Sequence, residues 1–95
     1  MTRRFTKSDG IVERRIRDEH ILVPIMSSLE TIDSIYTLNE TASVIWRDAV
    51  AGLPENEIAA SLTREFDLDA ATAEHDTRRT LDELGALKTL TVAGS

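Results

Sequence analysis

Residues 34–46, SIYTLNETASVIW, decide the fold of this 95-residue chain. Ser34 to Leu38 are rich in β-branched and aromatic side chains, which favour an extended strand. Asn39 is a good helix N-cap, and Glu40 suits the first turn of the helix that follows. The stretch therefore predicts a short strand that runs directly into a helix, while the sequence leaves open which segment pairs with that strand.

Two further strands are predicted upstream of this junction. Residues 11–17 (IVERRIR) and 21–25 (ILVPI) have the side chains of strands, and residues 18–20 (DEH) between them are typical of a hairpin turn. The first ten residues are polar and aperiodic. We therefore expect a flexible N-terminal arm at 1–10, followed by a single domain at 11–92.

The remainder of the chain predicts three helices, with Trp46 as a core anchor in the first. The buried face of the third helix is expected to consist of Ala73, Thr77, Leu81 and Leu84. Asp69 can cap that helix and Gly85 should end it, while residues 87–92 either form a last short strand or cover the core. The order of elements predicts an α+β, winged helix-turn-helix-like fold, in which a three-stranded antiparallel sheet precedes a three-helix bundle.

Composition narrows the class of protein. The chain has no cysteine, which excludes disulfides and thiolate chemistry, and no apolar run long enough to span a bilayer. His20, expected in the hairpin turn, and His75, on the third helix, lack further ligands at metal spacing. The four glycines are scattered rather than grouped in a phosphate loop. We therefore expect a cytoplasmic protein without metal, cofactor, catalytic residues or a membrane partner.

Charge is unevenly distributed along the chain. Residues 1–24 carry six basic against four acidic side chains, whereas residues 25–95 carry five against thirteen. The main alternative function, a winged-helix DNA-binding transcriptional regulator, needs a basic recognition helix to face phosphates. The predicted third helix has the opposite balance, with Arg78 and Arg79 among five acidic side chains at residues 69–84. A nucleic-acid partner is therefore not expected.

The strand predicted at residues 34–38 is the feature that indicates a binding partner. If residues 11–25 form a hairpin, this strand lies beside it with one free edge of backbone N–H and C=O groups, which another chain can pair with. The loop at 26–33 could instead cover that edge, and the sequence does not decide between the two. A free edge would also permit pairing between two copies of the chain, so the sequence is compatible with both a monomer and a homodimer.

The order of several short motifs resembles the PqqD family. The motifs are Leu38-Asn39 at the strand-to-helix junction, Trp46 in the first helix, Glu65-Phe66-Asp67 at the end of the second, and Asp76 with the run from Leu81 to Leu84 in the third. The resemblance covers roughly residues 11–90 and includes the upstream RRIRDEHILVPI. Thr77 and Thr80 depart from the bulkier apolar residues that the family often has there.

The resemblance implies a function for the chain. Members of the family are similar to winged helices and are not enzymes. They bind the leader segment of a ribosomally made precursor peptide and present it to a modifying enzyme, which in pyrroloquinoline quinone biosynthesis is a radical S-adenosylmethionine protein. The leader adds as an extra strand beside the third strand, in a groove against the third helix. A chaperone-like adaptor is therefore implied, with the leader peptide and the modifying enzyme as partners.

The resemblance also implies which residues bind the peptide. They are Ser34, Ile35, Tyr36, Thr37, Leu38, Asp76, Arg78, Arg79 and Glu83. Helical geometry places the candidates on the third helix on two flanks of its buried stripe. Glu74 and Arg78 lie on one flank, and Asp76, Arg79 and Glu83 lie on the other. The sequence does not decide which flank faces the strand, although the match at Asp76 favours its own flank. A purely structural subunit, permanently docked on one enzyme, is a third possible role.

Overall fold

Residues 2–24 and 36–93 are described by the computed structural model, and they form two small sheets and three α-helices. The elements in chain order are β1 (Phe5–Lys7), β2 (Ile11–Ile16), β3 (Glu19–Pro24), β4 (Tyr36–Leu38), α1 (Glu40–Val50), α2 (Glu55–Phe66), α3 (Ala70–Ala86) and β5 (Leu90–Val92). Strands β2, β3 and β4 form one antiparallel sheet in that order, and β1 pairs with β5 in the other. The predicted α+β fold, a three-stranded antiparallel sheet followed by three helices, is confirmed.

The strand that leads into the first helix is β4, and the junction is the predicted one. Asn39 Oδ1 accepts a hydrogen bond from the backbone N–H of Ala42 at 2.8 Å, which satisfies one of the free donors at the start of α1. Leu38, one residue earlier, is buried in the core. Ser34 and Ile35, which the sequence assigns to the same strand, lie outside the described residues.

The hairpin of β2 and β3 turns at Arg17 and Asp18, and not at residues 18–20. Arg17 has a φ of 57°, in the left-handed region that tight two-residue hairpin turns use. The predicted turn was wrong because the polar run DEH has the composition of a loop, whereas the sheet register places His20 opposite Arg15. His20 is therefore a strand residue, and it is buried.

Helix α3 begins where the sequence predicts and ends slightly later. Asp69 Oδ1 accepts a hydrogen bond from the Thr72 backbone N–H at 2.8 Å, and hydrogen bonds from the Thr72 side chain and backbone lower the pKa of Asp69. Gly85 does not end the helix but lies inside its last turn, and the chain reverses at Lys88, which has a φ of 63°. Leu87, the residue after the helix, consequently lies beside β4.

One apolar cluster joins the sheets to the helices. Trp46 is fully buried on α1, as predicted, and the four residues expected on the inner face of α3 are all buried. The cluster consists of Phe5, Ile11, Leu22, Leu38, Ile45, Trp46, Ala49, Ile58, Leu62, Ala73, Leu81, Leu84 and Leu90. Because the chain has few aromatic residues, aliphatic side chains supply most of this core.

The first ten residues do not form the flexible arm that their composition suggests. Phe5 is 3% exposed and belongs to the core, and β1 pairs with β5 so that Phe5 lies opposite Val92. The backbone N–H of Ser8 also donates to the carbonyl of Thr89 at 3.0 Å. The expectation was wrong because the partner of β1 comes from the other end of the chain, which local periodicity cannot reveal. Of the two alternatives for residues 87–92, the last short strand is the one that forms.

Replacing Phe5 with alanine should lower the free energy of unfolding by about 3 kcal/mol, because the substitution removes a buried aromatic ring and leaves a cavity. Urea denaturation followed by Trp46 fluorescence measures the change. Thr6→Ala, at an exposed position on the same strand, is the control and should alter the free energy of unfolding by less than about 0.5 kcal/mol. Equal unfolding midpoints for the wild type and Phe5→Ala would contradict the packing of the N-terminal segment.

Candidate functional site

A groove of about 410 Å³ lies between β4 and the second half of α3. The three residues of β4 line its sheet side, and Arg79 and Glu83 line its helical side together with Leu84 and Leu87. Thr80 on α3, together with Asn39, Thr41 and Ala42 at the start of α1, completes the lining. The groove therefore follows the strand that enters α1, along the length that the structure describes.

The two edge strands of the three-stranded sheet differ in charge. Among the described residues, β2 and β4 each pair with β3 alone. Charged side chains along an edge discourage pairing with another chain, and β2 carries three of them, Glu13, Arg14 and Arg15. The β4 sequence Tyr36-Thr37-Leu38 carries none. Within the described residues, the sheet is therefore more open to an additional strand at β4 than at β2.

Arg79 is the basic residue of the groove, and two carboxylates neighbour it. Its guanidinium lies 3.6 Å from Asp76 Oδ1 and 3.8 Å from Glu83 Oε1, at the i,i+3 and i,i+4 spacing of helical pairs. Arg79 and Glu83 line the groove, whereas Asp76 does not line it and lies beside Arg79. Because two carboxylates accompany one guanidinium, the helical wall carries more negative than positive charge at this point.

Arg78 lies on the other flank of α3. Its Nε is 3.7 Å from Glu55 Oε2, and it lines a separate depression of about 250 Å³ together with Glu74 and Asn56. The structure thus separates the predicted helical residues, with Arg79 and Glu83 beside β4 and Arg78 away from it. The role of each of them in peptide binding stays a prediction.

Several groove residues were not singled out from the sequence. Thr80, Leu84 and Leu87 line the helical side at spacings of four and three residues, so they share a face of α3 and its extension. The sequence predicts Leu84 as a core residue, and it is indeed only 3% exposed although it also lines the groove. The sequence could have identified two of these groove residues by helical spacing. Thr80 precedes Glu83 by three residues and Leu87 follows it by four, so both lie on the same side of the helix as Glu83.

A buried histidine ties the hairpin to α1. His20 Nδ1 is hydrogen-bonded to Ser43 Oγ at 2.5 Å, and His20 Nε2 to Glu13 Oε2 at 2.7 Å. The two bonds join β2, β3 and α1 and satisfy both ring nitrogens of a side chain that is 6% exposed. Since His20 lies opposite Leu38 in the sheet, this bridge supports the strand that borders the groove.

Neither a metal-binding cluster nor a membrane-spanning helix is found within residues 2–24 and 36–93. No group of three or more histidine, aspartate or glutamate side chains in these ranges could hold a metal ion. None of the helices described there is both long enough and apolar enough to cross a membrane.

Comparison with known proteins places the chain in a family. A family model described as Coenzyme PQQ synthesis protein D (PqqD) matches residues 19–90, which is most of the chain. The chain belongs to the PqqD family. The match begins at β3, so β1 and β2 of this PqqD-family chain lie outside it. No curated protein matches the chain.

Two solved structures are similar to this PqqD-family chain. TbiB1 in complex with the TbiA(beta) leader peptide has 26% sequence identity over 95% of this chain and 96% of that chain, with a TM-score of 0.75. Lasso peptide synthetase B1 complexed with the leader peptide has 21% identity over 92% of this chain and 96% of that chain, with a TM-score of 0.79. The second likeness shows the fold alone. Both alignments include nearly the whole chain, so the fold extends beyond the residues that the family model matches.

Replacing His20 with alanine should lower the free energy of unfolding by about 2 kcal/mol, because Glu13 and Ser43 lose a buried hydrogen-bond partner. Chemical denaturation at constant pH measures the loss. His75→Ala is the matched control, since His75 is exposed on α3 and its substitution should change the free energy of unfolding by less than about 0.5 kcal/mol. An equal effect of the two substitutions would show that the bridge through His20 does not support the fold.

Proposed function

We propose that this PqqD-family chain is a non-catalytic adaptor that binds the leader of a ribosomally made precursor peptide and presents it to a modifying enzyme in the cytoplasm. The leader adds to the sheet as a strand beside β4, in the groove against α3. The observation that carries the proposal is an uncharged edge strand, Tyr36–Leu38, that borders a groove of about 410 Å³. The relative TbiB1, at 26% identity, supports it, since that protein was solved in complex with a leader peptide.

Strand addition suits the chemistry of this groove. Main-chain hydrogen bonds supply affinity in such complexes, and pockets for alternate side chains supply specificity. An added strand lies about 4.8 Å from its neighbour and directs every second side chain to the same face. Ala42, Leu84 and Leu87 line the groove beside β4 and offer apolar contacts to a peptide side chain. We expect the bound leader to direct small or medium apolar side chains toward these residues.

The second proposed partner is the enzyme that receives the peptide. A radical S-adenosylmethionine enzyme, as in pyrroloquinoline quinone biosynthesis, is the partner that the family resemblance implies. The two similar solved structures are instead complexes with leader peptides, and one is of a lasso peptide synthetase. We therefore propose a peptide-modifying enzyme as the partner. The genes that neighbour the gene of this chain should identify the reaction class of that enzyme.

DNA binding by α3, as in winged-helix regulators, is disfavoured by charge. The second half of α3 exposes Asp82 and Glu83, and Arg79 is already paired with Asp76 and Glu83. Phosphates brought to this helix would meet more negative than positive charge, whereas duplex binding depends on neutralising phosphates.

Titration with a leader peptide tests the proposal directly. Synthetic peptides that cover the leaders of short precursor genes beside this chain's gene are added to the ¹⁵N-labelled protein. We expect shifts and slower amide exchange at Tyr36–Leu38, together with shifts at Arg79–Leu87, because an added strand pairs with the first segment and contacts the second. A DNA duplex is the control ligand and should cause no shifts at physiological salt. Shifts confined to other surfaces, or salt-dependent shifts with DNA alone, would contradict the proposal.

A tryptophan substitution in the groove should block the peptide. Thr80→Trp places a large side chain between α3 and β4 and should raise the Kd for a leader that binds the wild type by at least about tenfold, or about 1.4 kcal/mol. Isothermal titration calorimetry measures the Kd. Glu74→Trp puts the same side chain on the other flank of the helix and should leave the Kd within about twofold of the wild-type value. Equal affinities for the two variants would place the peptide elsewhere.

A further inference from the structure

Arg3 joins three parts of the chain that meet outside the groove. Its Nε lies 2.8 Å from Glu55 Oε1 at the start of α2, and its Nη1 lies 3.0 Å from Asp82 Oδ1 on α3. The carbonyl of Arg3 accepts a hydrogen bond from the Glu55 backbone N–H at 2.8 Å, and the guanidinium lies 5.3 Å from the centre of the Phe5 ring. One residue of the N-terminal segment thus contacts α2, α3 and β1.

The contact with Asp82 is made on the part of α3 that forms the groove wall. Arg79, three residues earlier, and Glu83, the next residue, both line the groove. Successive residues of a helix are separated by about 100° around its axis, so Asp82 occupies a neighbouring face of the same turn. Arg3 does not line the groove and therefore holds this turn from outside.

The end of α3 is held by the strand that pairs with β1. After Leu87 the chain turns into β5, and Thr89 donates two hydrogen bonds to the carbonyl of Leu84, from its backbone N–H at 3.0 Å and from its hydroxyl at 2.8 Å. Leu84 and Leu87 both line the groove. Pairing of β5 with β1 therefore fixes the same wall at a second point.

We propose that residues 3–7 position the helical wall of the groove and that Arg3 is a positioning residue for peptide binding, an inference that rests on the proposed function. A peptide added beside β4 requires α3 at one distance from that strand. If α3 is less constrained, it occupies the competent position for only part of the time, and the apparent Kd rises by the reciprocal of that fraction. This segment precedes the residues that the family model matches, so the inference concerns an element outside that match.

The substitution Arg3→Met removes both ion pairs and keeps an apolar side chain of similar length. Asp82, with 57% of its side chain accessible, loses a surface ion pair, whereas Glu55, with 15% accessible, keeps Arg78 at 3.7 Å as a second partner, so the loss of stability should be modest. The matched control is Arg47→Met. Arg47 makes a similar pair of contacts, to Glu65 at 2.8 Å and to Asp48 at 3.1 Å, and does not line the groove. Both variants lose one arginine and two ion pairs, but only the first loses a contact with the groove wall.

Peptide binding gives the first readout. For a leader that binds the wild type, we expect Arg3→Met to raise the Kd about fivefold. This increase corresponds to a protein in which α3 occupies the position that binds the peptide for about one fifth of the time. Arg47→Met should stay within about twofold. Asp82→Ala should also weaken binding, and the double variant should be no weaker than Arg3→Met alone, because the contact between Arg3 and Asp82 is already lost in Arg3→Met. Unchanged affinity in Arg3→Met, or an equal loss in Arg47→Met, would overturn the inference.

Amide hydrogen exchange in the free protein gives a second readout that does not require a peptide. Exchange at Leu84 and Leu87 should be several-fold faster in Arg3→Met than in Arg47→Met if Arg3 constrains the end of α3. If the wild type binds none of the leaders, the proposed function fails while this readout still decides whether Arg3 positions α3. Equal exchange rates in the two variants would overturn the inference whatever the peptide does.

Discussion

The direct junction between Leu38 and Asn39 is the constraint on which the rest of the structure depends. Leu38 pairs with His20 in the sheet and is buried in the core, and Asn39 caps α1 immediately afterwards. Because no linker separates strand from helix, the sheet sets the direction of α1. Helices α2 and α3 pack against α1, so this junction brings α3 near β4, and the contacts of residues 3–7 then hold it there. The groove is thus a consequence of how the strand enters the helix.

The same junction supports the described part of β4, Tyr36–Leu38. Three residues contribute few ladder hydrogen bonds, and an isolated short segment of an edge is weakly held. Here Leu38 packs into the core and the His20 bridge to Ser43 supports the neighbouring strand from α1. The backbone of β4 is therefore held in place by side-chain contacts on one face. Its outer edge does not have to pair within the described part of the chain for the strand to persist.

Local patterns in the sequence were sufficient for the helices and for the class of fold. Asn39 and Asp69 cap helices as predicted, and the buried face of α3 is the predicted one, because capping and helical spacing depend on residues within one or two turns. The hairpin turn was misplaced because the polar strand residue His20 looks like a loop residue until its partners, Glu13 and Ser43, are known. The β1–β5 pair was missed because it joins opposite ends of the chain.

The candidate site was predictable to a similar degree. The resemblance named β4 and α3, and helical geometry named two flanks of α3, but neither could orient the helix against the strand. That orientation depends on packing between elements distant in sequence, such as Arg3 against Glu55 and Asp82. Once the orientation of α3 against β4 is known, Arg79 and Glu83 are assigned to the groove and Arg78 to the other flank of the helix. Thr80 could have been inferred only after the correct flank was known.

The charge of the groove bears on how a peptide could be recognised there. The charged side chains that line the groove, Arg79 and Glu83, have opposite signs, so the groove lining itself has little net charge for long-range electrostatic attraction. The remaining lining is the uncharged β4 backbone together with small polar and apolar side chains. For the proposed leader peptide we therefore expect affinity to come mainly from main-chain hydrogen bonds, whose geometry is the same for every sequence, and selection among peptides to come from the shape of the space between α3 and β4. In such a site, the placement of α3 determines specificity as much as the identity of any side chain that lines the groove.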